Sequence, residues 1–298
     1  MRWTPGGRSS NLEDRRGRPG RGVRAAGIGL GGMLVLLVLS VIFKQDFLSL
    51  VTTGGGGAMM PTDSSDAAPY QASPEEERLV DFVSFVLDDA QAVWQGKFAE
   101  MGQTYQDATL VLFRDGVQSA CGAAGSATGP FYCPGDEKVY IDLAFYDELH
   151  NRFGAPGDFA QAYVLAHEVG HHVQRRLGIE DQVRQAQQAR PGSANEYSVL
   201  LELQADCFAG IWAHSTARRD LLDPGDLEEG LGAAAAVGDD RIQSNATGRV
   251  NPESFTHGSS QQRMEWFQRG FQSGRPDACD TMRPCSSTTT DAPLQAKA

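Results

Sequence analysis

Apolar positions recur with helical spacing after residue 73, which predicts that a folded domain begins there. Ser73 and Pro74 begin this stretch, and a serine cap followed by proline and then Glu76 is typical of a helix start. Single apolar residues or adjacent pairs then recur every three or four positions: Leu79, Val80, Phe82, Val83, Val86, Leu87, Ala90, Val93 and Trp94. This spacing predicts a helix with one face in a core.

Further helices are predicted downstream. One covers residues 159–177, from an N-cap at Asp158 to the stop at Gly178. A second covers residues 194–214 and is mostly apolar, so we expect it to be buried. An Ala-rich helix begins at Asp226, and a short helix near the C-terminus contains Trp266 and Phe267.

A small sheet is predicted between residues 107 and 142. Residues 108–113 form a short apolar run, and residues 131–133 and 138–142 flank a Pro-Gly-Asp-Glu turn, which predicts a hairpin. The fold class is therefore α+β, mainly helical with a small sheet. An edge strand of this hairpin can hold an extended peptide, although a purely structural hairpin explains the pattern equally well.

The first 72 residues have a different composition. Residues 1–24 are rich in Arg, Gly and Pro, which predicts a disordered basic segment. Residues 25–43 contain no charge and are long enough to cross a bilayer as one transmembrane helix. Residues 44–72 are rich in small and polar residues, which predicts a flexible tether. A folded domain of residues 73–285 and a disordered Ser/Thr-rich tail of residues 286–298 follow.

The charge distribution predicts an orientation in the membrane. Arginines lie on the N-terminal side of residues 25–43, so the positive-inside rule places the N-terminus in the cytoplasm. The rest of the chain would then be extracytoplasmic, as in a single-pass inner-membrane protein. A cleaved signal peptide is the alternative, but the apolar run is long for one and no clear cleavage site follows. The net charge of −12 argues against nucleic acid as a partner.

Five cysteines suit a domain outside the cytoplasm. Cys121 with Cys133, and Cys279 with Cys285, bracket short segments and are candidate local disulfides, although other pairings remain open. Cys207 is left over and is expected to be a buried thiol. No C-x-x-C is present, which argues against a zinc site built from cysteines.

The most specific chemical signal is His167-Glu168-x-x-His171 in the middle of a predicted helix. Residues four apart lie one turn apart on the same face, so both imidazoles can bind one cation. Glu168 lies where its carboxylate can reach a water on that cation. This arrangement is typical of zinc peptidases.

A catalytic zinc site needs a third protein ligand, and Glu202 is the best candidate. It lies in the next apolar helix, where a carboxylate without a partner would be costly. Asp206, four residues further on, then suits a role in orienting a ligand histidine through its free ring N–H. An ordinary salt bridge of this acidic pair, for example with Arg263, is the alternative.

His257 follows a loop and is a candidate for stabilising the oxyanion of the reaction, with a structural hydrogen-bonding histidine as the alternative. It is also the substitute third ligand if Glu202 does not reach the metal. His172 points about 100° away from His171 on a helix, so we expect it to pack or hydrogen-bond elsewhere. His150 and His214 are expected to have structural roles.

These residues indicate a membrane-anchored zinc endopeptidase that uses Zn²⁺ and a peptide or protein substrate. Glu168 would act as general base on the attacking water and then protonate the leaving amine. A second hypothesis is a zinc-binding envelope chaperone or assembly scaffold without proteolysis. The retained Glu168 argues against it. A third is a membrane-anchored binding module without metal.

The chain also resembles the neutral zinc metallopeptidase family of bacteria. The matching segments are Met1–Trp3, Asn11–Arg16, Gly129–Pro134, His167–Gln174, Glu202–Gly210 and Phe255–Ser260. The resemblance implies a zincin-like fold, an N-terminal membrane anchor and a glutamate as third zinc ligand, with Glu202 at the matching position.

Overall fold

The computed structural model describes residues 1–17, 70–151 and 153–282. Over these ranges the strands are β1 (Leu12–Asp14), β2 (Thr109–Phe113), β3 (Gly116–Ser119), β4 (Gly122–Gly125), β5 (Phe131–Cys133) and β6 (Lys138–Asp142). The α-helices are α1 (Pro74–Glu100), α2 (Ala144–Asn151), α3 (Asp158–Arg176), α4 (Ile179–Ala189), α5 (Ala194–Arg218), α6 (Asp226–Ala236), α7 (Asp239–Thr247) and α8 (Ser260–Ser273).

The strands form one four-stranded sheet and one separate hairpin. The sheet order is β1-β2-β6-β5, with β1, β2 and β6 parallel and β5 antiparallel at the edge. Strands β3 and β4 pair with each other. The predicted hairpin of residues 131–133 and 138–142 is confirmed, and so is the α+β class with a small sheet.

Helix α3 is the centre of the core. It is buried along most of its length because it packs against α1, α5 and α6. Aromatic side chains fill the space around it: Phe159 stacks on Trp212 with ring centroids 5.5 Å apart, and Trp94 meets Phe208 at 5.1 Å. The apolar face of α1 is buried as its spacing predicts.

Glycines let α5 approach its two neighbours closely. A Cβ atom at Gly170 of α3 would lie 2.9 Å from the carbonyl oxygen of Ala205, and one at Gly270 of α8 would lie 1.9 Å from that of Cys207. Only a residue without a side chain fits at such contacts. The backbones of α3, α5 and α8 are therefore held near one another at the level of residues 202–207.

The first 17 residues belong to the folded domain, so the prediction that residues 1–24 are disordered is wrong for residues 1–17. Strand β1 pairs in parallel with β2. Trp3 packs against Phe82 of α1 with ring centroids 5.3 Å apart. Residues 18–24 lie outside the described residues.

Ion pairs explain why residues 1–17 are folded although their basic composition is typical of disorder. Arg16 is buried and contacts Asp14 at 2.6 Å and Glu77, in the first turn of α1, at 2.9 Å. Arg8 also contacts Glu77. Carboxylates at a helix N-terminus are favourable in themselves, and here they also neutralise guanidinium groups that would otherwise repel one another. The arginines are thus packing partners of α1.

The predicted membrane segments lie outside the described residues. These are the span at residues 25–43, nearly all of the tether at residues 44–72, and the tail at residues 286–298. In the part of the chain that is described, no helix is long and apolar enough to cross a membrane.

Two disulfides are present among the described residues. Cys121–Cys133 forms as predicted. The second joins Cys207 of α5 to Cys279, so the predicted Cys279–Cys285 pair and the free Cys207 thiol are both wrong. The reason is tertiary: the segment after α8 packs on α5 and brings these Cα atoms to 5.6 Å, which suits a disulfide. Cys285 lies outside the described residues.

Candidate metal centre

The two histidines of the motif lie on one face of α3, as their spacing predicts. The helix begins and ends within one residue of the predicted positions. The rings of His167 and His171 are 4.8 Å apart between centroids, and both face α5.

Glu202 of α5 lies opposite both histidines. Its Oε2 is 3.1 Å from Nε2 of His167, and its Oε1 is 3.4 Å from Nε2 of His171. One ligand atom from each of the three side chains lies within 4.8 Å of the others, close enough to share one cation. Two imidazoles and a carboxylate form a ligand set found in catalytic zinc sites.

Asp206 is fully buried one turn further along α5 and binds several donors at once. It accepts a hydrogen bond from Nδ1 of His167 at 2.8 Å, two from Arg263 of α8 at 2.8 and 3.0 Å, and one from Tyr163. Both contacts considered for this carboxylate, the hydrogen bond to His167 and the salt bridge to Arg263, therefore occur together.

The site is strongly polarised. Burial opposes the charged form of His167, but the Asp206 and Glu202 carboxylates raise its pKa to about 9. Burial also opposes ionisation of Glu202, yet the two imidazoles hold its pKa well below the usual range. A cation bound here would replace a proton on His167, so metal binding and proton release are linked.

Glu168 lines the cleft beside these groups and is only 7% exposed. Burial raises the pKa of its carboxyl, while the two neighbouring histidines act in the opposite direction. A carboxyl with a raised pKa suits proton transfer near neutral pH.

A cleft of about 890 Å³ opens onto the three ligand candidates. One wall comes from edge strand β5, including Phe131 and Tyr132. Another wall is apolar and includes Phe145, Val164 and Ile242. An exposed sheet edge beside such a wall can pair with an extended peptide and bind its side chains.

His257 also lines the cleft, but it does not belong to the group of His167, His171 and Glu202 whose ligand atoms lie close together. Its Nδ1 is 3.1 Å from Oδ1 of Asp239. This hydrogen bond is the main reason that the pKa of His257 is raised.

The remaining histidines lie away from the ligand group. His172 is fully buried, with Nδ1 3.1 Å from the Tyr132 hydroxyl and Nε2 2.7 Å from the carbonyl oxygen of Gln106, so the predicted packing role is confirmed. His214 hydrogen-bonds a backbone carbonyl, and His150 is exposed on α2.

Several buried polar residues around the site were not assigned from sequence. They are Tyr163, Gln174, Gln204 and Asp239. A signal for the first three exists, since each is a polar residue on the buried face of an otherwise apolar helix. Their partners come from distant segments, so sequence alone does not reveal what they bind.

Comparison with known proteins agrees with the geometry. The family model described as "Putative neutral zinc metallopeptidase" matches residues 1–282. YpfJ of Escherichia coli K12, an uncharacterised protein, is 49% identical over 290 residues, covering 94% of this chain and 98% of that protein. The uncharacterised protein Rv2575 of Mycobacterium tuberculosis H37Rv is 49% identical over 181 residues, covering 57% of this chain and 60% of its own length. No solved structure matches the chain at a significant level.

The contact between Asp239 and His257 makes a prediction about pH. Asp239→Asn should lower the pKa of His257 toward 6.5, because the amide offers His257 no charge partner. The stability that the ion pair adds is present at pH values below 6.5 and is lost as pH rises through the raised pKa of the folded state. NMR titration of the ring protons measures both pKa values. Asp240→Asn is the control, since Asp240 binds Ser260 instead; an equal pKa in all three proteins would contradict the assignment.

Proposed function

Because the chain belongs to the neutral zinc metallopeptidase family, we propose that it is a zinc-dependent endopeptidase with a zincin-like active site. Zinc is the cofactor that membership of this family implies. The observation that carries the proposal is the group of His167, His171 and Glu202, which opens onto a peptide-sized cleft beside Glu168.

The donor set fits a zinc ion. The three side chains offer nitrogen and oxygen ligands that zinc accepts, and they come from two rigid helices that hold them in place. When bound, zinc would act as a Lewis acid that lowers the pKa of a water molecule and polarises a peptide carbonyl. In this proposal His257 is not a ligand.

The remaining steps belong to protein groups. Glu168 takes a proton from the attacking water and later delivers it to the leaving amine. His257, whose protonated form is favoured by the hydrogen bond to Asp239, donates a hydrogen bond to the oxygen on which negative charge develops. Strand β5 holds the substrate by pairing with its backbone, and such pairing can bind an internal segment of a chain.

Glu168→Gln is predicted to slow hydrolysis strongly while leaving the fold and zinc content intact. The amide keeps the shape of the side chain but cannot accept the proton, and loss of a general base costs roughly 10²–10⁴-fold in rate. The measurement is cleavage of an unfolded protein, with zinc content determined on the same samples. Glu196→Gln, in the exposed first turn of α5, is the matched control and should cleave like the wild type.

Three outcomes would contradict this proposal. If Glu168→Gln cleaved as fast as the wild type, the assigned base would be wrong. If the wild type bound zinc but cleaved neither unfolded proteins nor peptides, a zinc-binding chaperone or scaffold would be the better hypothesis. A domain that bound no zinc would favour a binding module.

For location, we propose that residues 1–17 and the catalytic domain share one oxidising compartment. Two disulfides support an oxidising environment, since such bonds persist mainly outside the cytoplasm. The pairing of β1 with β2 supports a shared compartment. The proposal keeps the domain extracytoplasmic but does not place the N-terminus in the cytoplasm.

Two matched cysteine variants test the location. Ser10→Cys and Ser244→Cys place thiols at exposed positions in the N-terminal segment and in α7. In spheroplasts, a membrane-impermeant maleimide should label both. Labelling of only one would show that the two segments lie on opposite sides. Labelling of neither would place both in the cytoplasm, and either result would contradict the proposal.

A further inference from the structure

A chain of buried amides leads from His171 to the Cys207–Cys279 disulfide. Oε1 of Gln174 lies 2.9 Å from Nδ1 of His171. Nε2 of Gln174 donates to Oε1 of Gln204 at 3.1 Å, and Nε2 of Gln204 donates to the carbonyl oxygen of Cys279 at 2.9 Å. Gln174 and Gln204 are 1% and 4% exposed, so water does not readily replace these contacts.

Backbone carbonyl groups at the end of this chain of amides fix the direction of every hydrogen bond in it. A backbone carbonyl can only accept, and Gln174 also donates to the carbonyl of Leu201 at 2.7 Å. Turning either amide around would set two acceptors against each other at Leu201 or Cys279. Each amide oxygen must therefore face toward His171, and the oxygen of Gln174 requires a proton on Nδ1.

A proton on Nδ1 leaves the Nε2 lone pair of neutral His171 free. That nitrogen is the one that lies 3.4 Å from Glu202, in the ligand group. A partner on the second ring nitrogen is the general means by which proteins set the tautomer and the orientation of a metal-binding histidine. The amide chain does for His171 what Asp206 does for His167.

The disulfide holds the far end of this chain in place. Thr281 donates to the carbonyl of Leu200 at 2.8 Å, Cys279 accepts from Gln204, and the disulfide attaches at Cys207. These three points on α5 are spaced four and three residues apart, so they form one stripe along the helix. The segment that carries the Cys279 carbonyl is thus bound to α5 on both sides of that carbonyl.

We propose that Gln174 and Gln204 are positioning residues that fix His171 in its metal-binding tautomer, and that the Cys207–Cys279 disulfide secures the acceptor at the end of their chain. The inference rests on the proposed zinc site, but its test does not depend on proteolysis. The amides act through His171 and do not touch the metal or the substrate.

Zinc affinity of the full-length protein, measured by competition with a chelator, is the first test. Gln174→Leu should weaken zinc binding about 10- to 100-fold, as removal of such partners does elsewhere. Gln204→Leu should weaken it less, because Gln174 keeps its bond to Leu201. Gln91→Leu is the matched control: Gln91 is equally buried and hydrogen-bonded to the backbone of Ala108, away from the site. It should lose stability but keep its zinc affinity.

The disulfide is tested in the same assay. Cys207→Ala with Cys279→Ala should weaken zinc binding, whereas Cys121→Ala with Cys133→Ala should not. If the first pair fails to fold, Gln204→Leu still tests the chain, because it removes the bond to Cys279 and leaves the disulfide in place.

A tautomer measurement separates this inference from the proposed function. In the metal-free protein labelled with ¹⁵N-histidine, His171 should bear its proton on Nδ1 in every form of the ring, and Gln174→Leu should add the neutral form protonated on Nε2. Unchanged zinc affinity and an unchanged tautomer in Gln174→Leu would overturn the inference, as would an equal loss of affinity in Gln91→Leu. A wild type that binds no zinc would refute the function, while the tautomer would still decide the inference.

Discussion

The site depends on the hydrogen bonds that the carboxylate of Asp206 accepts. This carboxylate is fully buried and accepts hydrogen bonds from His167 of α3 and Arg263 of α8. A buried charge with any of these partners removed would be costly, so the three helices have one favourable arrangement. That arrangement also sets the distance between Glu202 and the two histidines. The geometry for a metal thus follows from satisfying one buried anion.

Charge balance explains why the partners differ between the two histidines. In their ionised forms, Glu168, Glu202 and Asp206 would carry three negative charges, which a dication and the guanidinium of Arg263 would balance. A further carboxylate beside His171 would upset this balance in a buried site, where an unpaired charge is expensive. The neutral amide of Gln174 orients the ring without adding charge.

Local patterns were sufficient for much of the fold and the centre of the site. Helix α3, the β5–β6 hairpin and the grouping of His167, His171 and Glu202 follow from spacing, capping and the cost of burying a carboxylate. These signals lie within one element or between neighbouring ones. The Cys207–Cys279 disulfide could not be predicted in the same way, because it depends on how the segment after α8 packs on α5.

The order of the N-terminal segment also could not be predicted from local sequence patterns. Its composition indicates disorder, because composition records the charges of Arg8 and Arg16 but not the carboxylates of α1 that neutralise them. The pairing of β1 with β2 joins residues about a hundred positions apart, so no local pattern marks it. This pairing makes the beginning of the chain part of the same folded unit as the candidate metal centre.

A crystal structure of the zinc-loaded protein, with anomalous diffraction measured at the zinc absorption edge, tests the central claim most directly. We expect one anomalous peak between Nε2 of His167, Nε2 of His171 and the carboxylate of Glu202. A second group of carboxylates also lies close enough to share a cation and consists of Asp158, Asp226 and Glu229. A peak at that acidic group or at His257, with none between the two helices, would contradict zinc binding by His167, His171 and Glu202.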